Sequence, residues 1–171
     1  MTRPPALPWR GGCQCGAVRY RVRALPLTLY CCHCAACQAQ SGSAFAMSMR
    51  MERAALEIDW PRMAGSARDA GLATEVVGHF CPRCGTRLVH ERPAGADVSL
   101  KAGTLDDTSW LRPAGHIWTR RAQPWLRLDG AALVYEGQPP SYDALVAAWR
   151  RGALGEPGAA TAAGVTEEGR T

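Results

Sequence analysis

Eight cysteines are the residues of this 171-residue chain whose type and spacing predict chemistry. They occur in three groups, namely Cys13 with Cys15, Cys31 to Cys37, and Cys81 with Cys84. Thiols separated by one or two residues are typical of metal chelation, because both sulfurs can reach one ion. The first residues show no apolar signal segment, which favours a reducing, cytoplasmic setting with free or metal-bound thiols rather than disulfides.

The segment Cys81-Pro-Arg-Cys84-Gly85 is typical of a zinc knuckle. Glycine after the second cysteine permits a positive φ, so that backbone N–H groups can turn toward the sulfurs. A thiol–disulfide redox pair is an alternative for the same two cysteines, but no βαβ pattern surrounds them.

Cys81 and Cys84 need two more ligands to complete a tetrahedral site, and Cys13 with Cys15 are the natural donors. Residues i and i+2 of an extended chain point to the same side, and glycines flank this pair. We call these four residues the four-cysteine cluster and expect a closed, structural metal site whose binding energy contributes to folding. The alternative is that Cys13 and Cys15 are small core residues.

The alternation of side chains along a strand places the cysteines of the second group on two different faces. If residues 27–34 are extended, Cys32 and Cys34 share one face, and Cys37 approaches from a turn three residues later. Cys31 then lies on the opposite face, where a free cysteine packs well in a core. We call Cys32, Cys34 and Cys37 the three-cysteine cluster.

Three protein ligands with an open position are typical of a catalytic rather than a structural zinc. A competing arrangement closes the site with a fourth ligand from Cys31, His33, His79 or His90. In the open arrangement Zn²⁺ and three thiolates carry a formal charge of −1, so the metal is a weak Lewis acid that suits a soft substrate thiolate. The predicted chemistry is therefore the formation or cleavage of a carbon–sulfur bond.

Short alternating segments separated by Gly, Pro and Asp must position these cysteines. Residues 17–23 alternate cleanly between apolar and arginine side chains. The full set of candidate strands is 17–23, 27–34, 45–49, 74–80, 86–91, 98–101, 115–119, 126–128 and 132–135. So many short strands predict a mainly β fold.

One C-terminal helix is expected, with Ser141 as its N-cap and Gly152 at its end. The composition predicts a loose N-terminal arm over residues 1–9, a single zinc-binding domain over 10–152 and a disordered tail over 153–171.

The net charge of +5 comes from 19 arginines and one lysine, Lys101, against 15 acidic residues. The arginines are dispersed and form no basic arm, which argues against nucleic acid as a partner. No apolar run is long enough for a membrane-spanning helix. A non-enzymatic zinc domain that binds protein or nucleic acid stays open as an alternative, because the net charge is positive.

Five motifs in order over about residues 10 to 130 resemble the glutathione-dependent formaldehyde-activating enzyme family, which includes the domain of centromere protein V. They are Gly12-Cys-Gln-Cys-Gly16, Cys32-His-Cys-Ala-Ala-Cys37 with the following residues to Phe45, Phe80-Cys-Pro-Arg-Cys-Gly-Thr86, Lys101-Ala-Gly-Thr-Leu-Asp-Asp107, and His116-Ile-Trp118 with Gln123-Pro-Trp125.

The resemblance implies a β-tent-like zinc fold with two zinc ions per chain, a structural one on the four-cysteine cluster and a catalytic one on the three-cysteine cluster. It implies a carbon–sulfur lyase similar to S-(hydroxymethyl)glutathione synthase, with glutathione as the thiol and formaldehyde as the aldehyde. The chain departs from the pattern in its extra Cys31 and in Gln38, where many members carry a basic residue.

Six further residues are candidates for substrate contacts around the second metal. They are Gln38, Ser41, Phe45, Gly103, Leu105 and Trp118. Each also has a structural alternative, in the core or in a turn. The sequence predicts neither the oligomeric state nor the true pair of substrates.

Overall fold

The computed structural model describes residues 3–69, 75–93, 95–128, 130 and 132–154. Strands within these ranges form a three-stranded and an eight-stranded sheet. The smaller sheet has the order β1-β2-β5 and is antiparallel throughout. Its strands are β1 (Trp9–Gly12), β2 (Arg19–Val22) and β5 (Leu56–Ile58).

The larger sheet has the order β11-β10-β3-β4-β9-β8-β7-β6. Strand β10 is parallel to both of its neighbours, and the other pairs are antiparallel. Its strands are β3 (Thr28–Cys32), β4 (Ala46–Glu52), β6 (Ala64–Asp69), β7 (Glu75–Phe80), β8 (Arg87–Glu91), β9 (Asp97–Lys101), β10 (Gly115–Ile117) and β11 (Leu133–Val134).

One face of the larger sheet packs against the smaller sheet. Leu29, Met49 and Leu100 are cross-strand neighbours on β3, β4 and β9, and each is fully buried. They share one hydrophobic cluster with Tyr20 and Val22 of β2. The main core therefore lies between the two sheets, and the apolar side chains of the alternating segment 17–23 contribute to it.

The opposite face of the larger sheet carries a polar row. Tyr30, Ser48 and Lys101 pair across β3, β4 and β9, and Cys32 lies two residues from Tyr30 on the same face. Because side chains alternate along a strand, this face is the one that the first cluster does not use. The expected division of β3 is confirmed, since Leu29 packs in the main core while Tyr30 and Cys32 pack in a second cluster.

Two α-helices accompany the sheets. Helix α1 (Ala35–Ser41) was not predicted, because only Cys37 of its seven residues is buried and no apolar period marks it. Its alanines and glutamines are strong helix formers, and Gly42 ends it in the left-handed conformation with φ 59°.

Helix α2 (Asp143–Trp149) is the predicted C-terminal helix. Tyr142 occupies the N-cap position, while the predicted cap, Ser141, accepts a hydrogen bond from the Asp143 N–H at 3.3 Å. The chain continues from α2 into a π-helical turn (Arg150–Leu154), so that Gly152 lies within this turn and does not end the helix.

The mainly β prediction is confirmed. Residues 126–128 form no strand, since the Leu126 N–H bonds to the carbonyl of Gln123 in a turn. Strands β1 and β6 were missed because they lack an apolar alternation, and β5 was missed because its alternation covers only three residues. In β1 a glycine is required, since a Cβ on Gly11 would lie 2.2 Å from the Tyr20 hydroxyl.

The predicted division into arm, domain and tail stays a prediction. Residues 1–2 and 155–171 lie outside the described residues, and Trp9 at the end of the expected arm is buried in β1. No helix within the described ranges is both long and apolar enough to cross a membrane.

Leu145 of α2 fixes the helix to the polar face of the larger sheet. Its side chain is fully buried beside Ile117 of β10 and Tyr30 of β3. We expect Leu145→Ala to lower the free energy of unfolding by about 2–5 kcal/mol, through lost burial and the cavity left behind. Urea denaturation measures the change.

The matched control is Leu25→Ala, since Leu25 is 44% exposed. Its expected cost is below about 0.5 kcal/mol. Equal destabilisation by the two substitutions would contradict the placement of α2.

Candidate metal centres

The four-cysteine cluster is assembled as the sequence predicts. Its four sulfurs lie within 4.8 Å of one another, with 3.6 Å between Cys13 and Cys15 and 3.8 Å between Cys15 and Cys81. A tetrahedral zinc with bonds of about 2.3 Å separates its sulfurs by about 3.8 Å. All eight cysteines are free thiols, so these contacts are not disulfides.

In both halves of this cluster a glycine with positive φ closes the turn that carries the two cysteines. Gly16 and Gly85 follow the second cysteine of their pairs and have φ of 75° and 73°. The Gly85 N–H donates to the Cys81 carbonyl at 2.8 Å, and the Gly16 N–H donates to the Cys13 carbonyl at 3.0 Å. Positive φ is the conformation for which glycine is suited, as the sequence predicts at Gly85.

Two thiols of the four-cysteine cluster are biased toward the thiolate. Hydrogen bonds from the side chain and the backbone of Thr86 lower the pKa of Cys84 to about 5. Burial opposes ionisation of Cys13, but the hydrogen bond from the Val18 N–H and the adjacent sulfurs lower its pKa on balance. The pKa of Cys15 is raised to about 11, although a backbone hydrogen bond from Ala17 opposes the rise, because burial and the adjacent sulfurs outweigh it.

The three-cysteine cluster lies where β3 meets α1. Cys32 ends β3, Cys34 is the N-cap of α1, and Cys37 is the buried residue of that helix. The three sulfurs lie within 4.8 Å of one another, and the Cys37 N–H donates to the Cys34 sulfur at 3.4 Å. Cys37 therefore approaches from a helix, where the sequence analysis expected a turn.

The contacts within the three-cysteine cluster favour a bound cation. The neighbouring sulfurs of Cys34 and Cys37, and then burial, raise the pKa of Cys32 far above its usual value. Three adjacent thiols, of which Cys32 and Cys37 are buried, resist joint ionisation unless a positive charge compensates them. The donor set and its spacing fit a soft divalent ion such as Zn²⁺.

A cavity of about 310 Å³ opens onto the three-cysteine cluster. Its floor is the polar face of the larger sheet, and α1 with residues 118–121 forms its walls. The floor residues are Tyr30, Cys32, Ser48, His90, Ser99 and Lys101. Small-molecule sites are concave in this way, with a few convergent polar groups.

Trp118 lines this cavity with its backbone in the left-handed region, at φ 61°. A bulky residue with positive φ is a genuine outlier that costs about 1–3 kcal/mol and that occurs at binding sites. Its N–H bonds to the Gly137 carbonyl at 3.0 Å, and the Arg120 guanidinium lies 4.8 Å from its ring centre. The structure thus places this predicted contact residue beside the three sulfurs.

The other predicted contact residues do not line this cavity. Ser41, Phe45 and Gly103 line a second cavity of about 440 Å³, which adjoins Cys84. The Gln38 side chain donates to the carbonyls of His33 and Arg121, both at 2.7 Å.

Leu105 is buried in the main core and bridges Gly11 of β1. It lines neither of these two cavities.

None of the residues weighed as a fourth ligand joins the three sulfurs among the described residues, although His90 lines the same cavity. Cys31 is buried outside both clusters. His33 Nε2 lies 2.9 Å from His116 Nδ1, and His79 Nε2 lies 2.7 Å from Glu91. His90 Nε2 lies 2.6 Å from the side-chain oxygen of Gln40.

Lys101 is the prominent residue that the sequence analysis left out of the site. It lines both cavities and is 9% exposed. Burial lowers its pKa, and the nearby sulfurs of Cys37 and Cys32 oppose that change. The available signal was its type, since it is the only lysine among 20 basic residues.

The comparison with curated proteins finds no significant match. A solved structure of a Rhodobacter sphaeroides protein is similar over 58% of this chain and 90% of its own, with 19% identity and a TM-score of 0.47. The family model named glutathione-dependent formaldehyde-activating enzyme matches residues 8–121, a span that includes both cysteine clusters. The chain therefore belongs to the glutathione-dependent formaldehyde-activating enzyme family.

Proposed function

We propose that this protein is a zinc-dependent carbon–sulfur lyase, acting as a synthase, that adds a small thiol such as glutathione to an aldehyde such as formaldehyde. The observation that carries the proposal is the pairing of a complete four-sulfur cluster with a three-sulfur cluster that faces a cavity. Family membership supports the thiol and the aldehyde as the substrate class.

We assign one structural zinc to the four-cysteine cluster and one catalytic zinc to the three-cysteine cluster. When bound, the catalytic zinc would hold the substrate sulfur as a thiolate that remains nucleophilic. The sulfur forms a bond to the aldehyde carbon, the carbonyl π electrons move to oxygen, and that oxygen takes a proton from solvent.

The charges around the cavity favour an anionic thiol. Arg92, Arg120 and Arg121 line it, and none of them lies in an ion pair among the described residues. The two acidic wall residues already have partners, since Asp97 pairs with Arg50 and Glu91 contacts Arg53 and His79. These arginines supply the positive charge that a basic residue at position 38 would provide and that Gln38 lacks. A planar guanidinium can also donate two parallel hydrogen bonds to a substrate carboxylate.

Trp118 would form an apolar wall of the substrate site, because it lines the cavity together with the three cysteines and its ring centre lies 4.8 Å from the guanidinium of Arg120. The free thiols agree with a reducing compartment, and a cytoplasmic location remains part of the proposal.

The alternative, a non-enzymatic domain that binds protein or nucleic acid, has less support. Arg19 and Arg23 of the most basic strand region pair with Asp106 and Glu57, which removes much of its charge. A salt-dependent shift of arbitrary DNA at micromolar protein would favour that alternative.

Cys34→Ser tests the catalytic role directly. We expect this variant to lose one of two zinc ions and at least about 100-fold of thiol–aldehyde adduct formation, because a ligand of the open site is gone. Elemental analysis counts the metal, and the adduct is measured above the uncatalysed rate.

Cys31→Ser is the matched control, since Cys31 is buried three residues away and outside the cluster. It should keep both zinc ions and most of the activity. Unchanged adduct formation by Cys34→Ser would contradict the proposed function.

The two metal sites should differ in their response to acid. Protons compete with metal for thiolates, so affinity falls as the pH falls. In the three-cysteine cluster the pKa values of Cys32 and Cys37 are both raised. In the four-cysteine cluster the pKa values of Cys13 and Cys84 are lowered and that of Cys15 is raised, so we expect protons to displace the metal of the three-cysteine cluster at the higher pH.

Zinc release measured by a chromogenic chelator should therefore occur in two steps on acidification. Thermal unfolding should follow only the second step, because the four-cysteine metal contributes to folding. Release of both ions in one step together with unfolding would contradict the division into catalytic and structural sites.

A further inference from the structure

Lys101 has an unusual environment for a lysine. It ends β9 on the polar face of the larger sheet and is 9% exposed. Its ammonium donates one long hydrogen bond, 3.4 Å to the Ser48 hydroxyl. Among the described residues, no carboxylate lies within ion-pair distance of it.

A buried ammonium needs a compensating negative charge, and the surroundings of Lys101 offer one source. The groups that attract it are the sulfurs of Cys37, Cys32 and Cys34, while Arg87 repels it. An unpaired buried charge is strongly disfavoured, so the burial of a charged Lys101 is explained if these sulfurs are thiolates.

The charge balance at the three-cysteine cluster then gives Lys101 a role. A divalent ion with three thiolates has a net charge of −1, and an anionic fourth ligand makes the net charge −2. Cross-strand pairing of Lys101 with Ser48, and of Ser48 with Tyr30, holds the ammonium on the face that carries Cys32. It lines the same cavity as all three sulfurs.

We propose that Lys101 is a specificity-determining residue that makes the three-cysteine cluster bind an anionic fourth ligand in preference to a neutral one. The inference rests on the proposed function, in that it takes the cluster to be a metal site with an open position. Lys101 acts through its charge on any anion in the cavity, and the substrate thiolate is one such anion.

The test uses the full chain loaded with cobalt(II) in place of zinc. Visible absorption follows the binding of three probes, namely azide as a simple anion, glutathione as the thiol and imidazole as a neutral ligand. Lys101→Met removes the charge and keeps most of the side-chain length. We expect it to weaken azide and glutathione binding about tenfold or more, since an opposite charge at close range shifts such equilibria by one to three powers of ten.

The same substitution should leave imidazole binding unchanged, and Lys101→Arg should restore most of the affinity for azide and glutathione. Arg112→Met is the matched control, because it removes one positive charge at an exposed position that lines neither cavity. It should bind all three probes like the wild type.

If Lys101→Met fails to fold with two metal ions, Lys101→Gln is compared with the wild type in the same three titrations.

Two results would overturn the inference while leaving the proposed function intact. One is equal affinity of the wild type and the uncharged variant for azide and glutathione, and the other is an equal loss for imidazole and azide. A wild type that binds azide but gives no spectral response to glutathione would overturn the proposed function instead, and azide binding by the variants would still decide the role of Lys101.

Discussion

The convergence of four sulfurs from two distant chain segments is the constraint on which the rest of the structure depends. Cys13 and Cys15 follow the first strand of the small sheet, whereas Cys81 and Cys84 form the turn between β7 and β8 of the large one. A shared ion there would join the two sheets whose apposed faces form the main core. That core in turn leaves the opposite face of the large sheet for the cavity.

The two clusters use the same donor atom, the cysteine sulfur, but differ in their surroundings. The four sulfurs form a complete tetrahedral donor set, which is supported by two glycine turns and by the contact of Cys84 with the Thr86 hydroxyl. The three sulfurs instead border a cavity whose walls carry arginines and one lysine. In a mainly β scaffold with few helical turns, the short α1 is what brings Cys37 back toward Cys32.

Local signals in the sequence predicted much of this arrangement. The glycine-flanked cysteine pairs and the parity of β3 are short-range patterns, and both clusters follow from them. Strand β6 escaped prediction because Ala64, Gly65 and Ser66 show no apolar alternation. Leu105 was expected at the site but lies in the core. This placement could not be predicted from local pattern, because its bridge partner, Gly11, is remote in sequence. Lys101 was missed for the same reason, because its place depends on pairing across three strands.

Strand order has a consequence for how the chain reaches this state. The central strand β3 lies between β4, which follows closely, and β10, whose residues 115–117 come more than eighty positions later. Pairings of such long sequence separation form slowly, because the loop must close before they contribute any stability. During synthesis the thiols beside β3 therefore stay accessible until β10 and α2 have emerged, so a metal ion and an oxidant would compete for them over that interval.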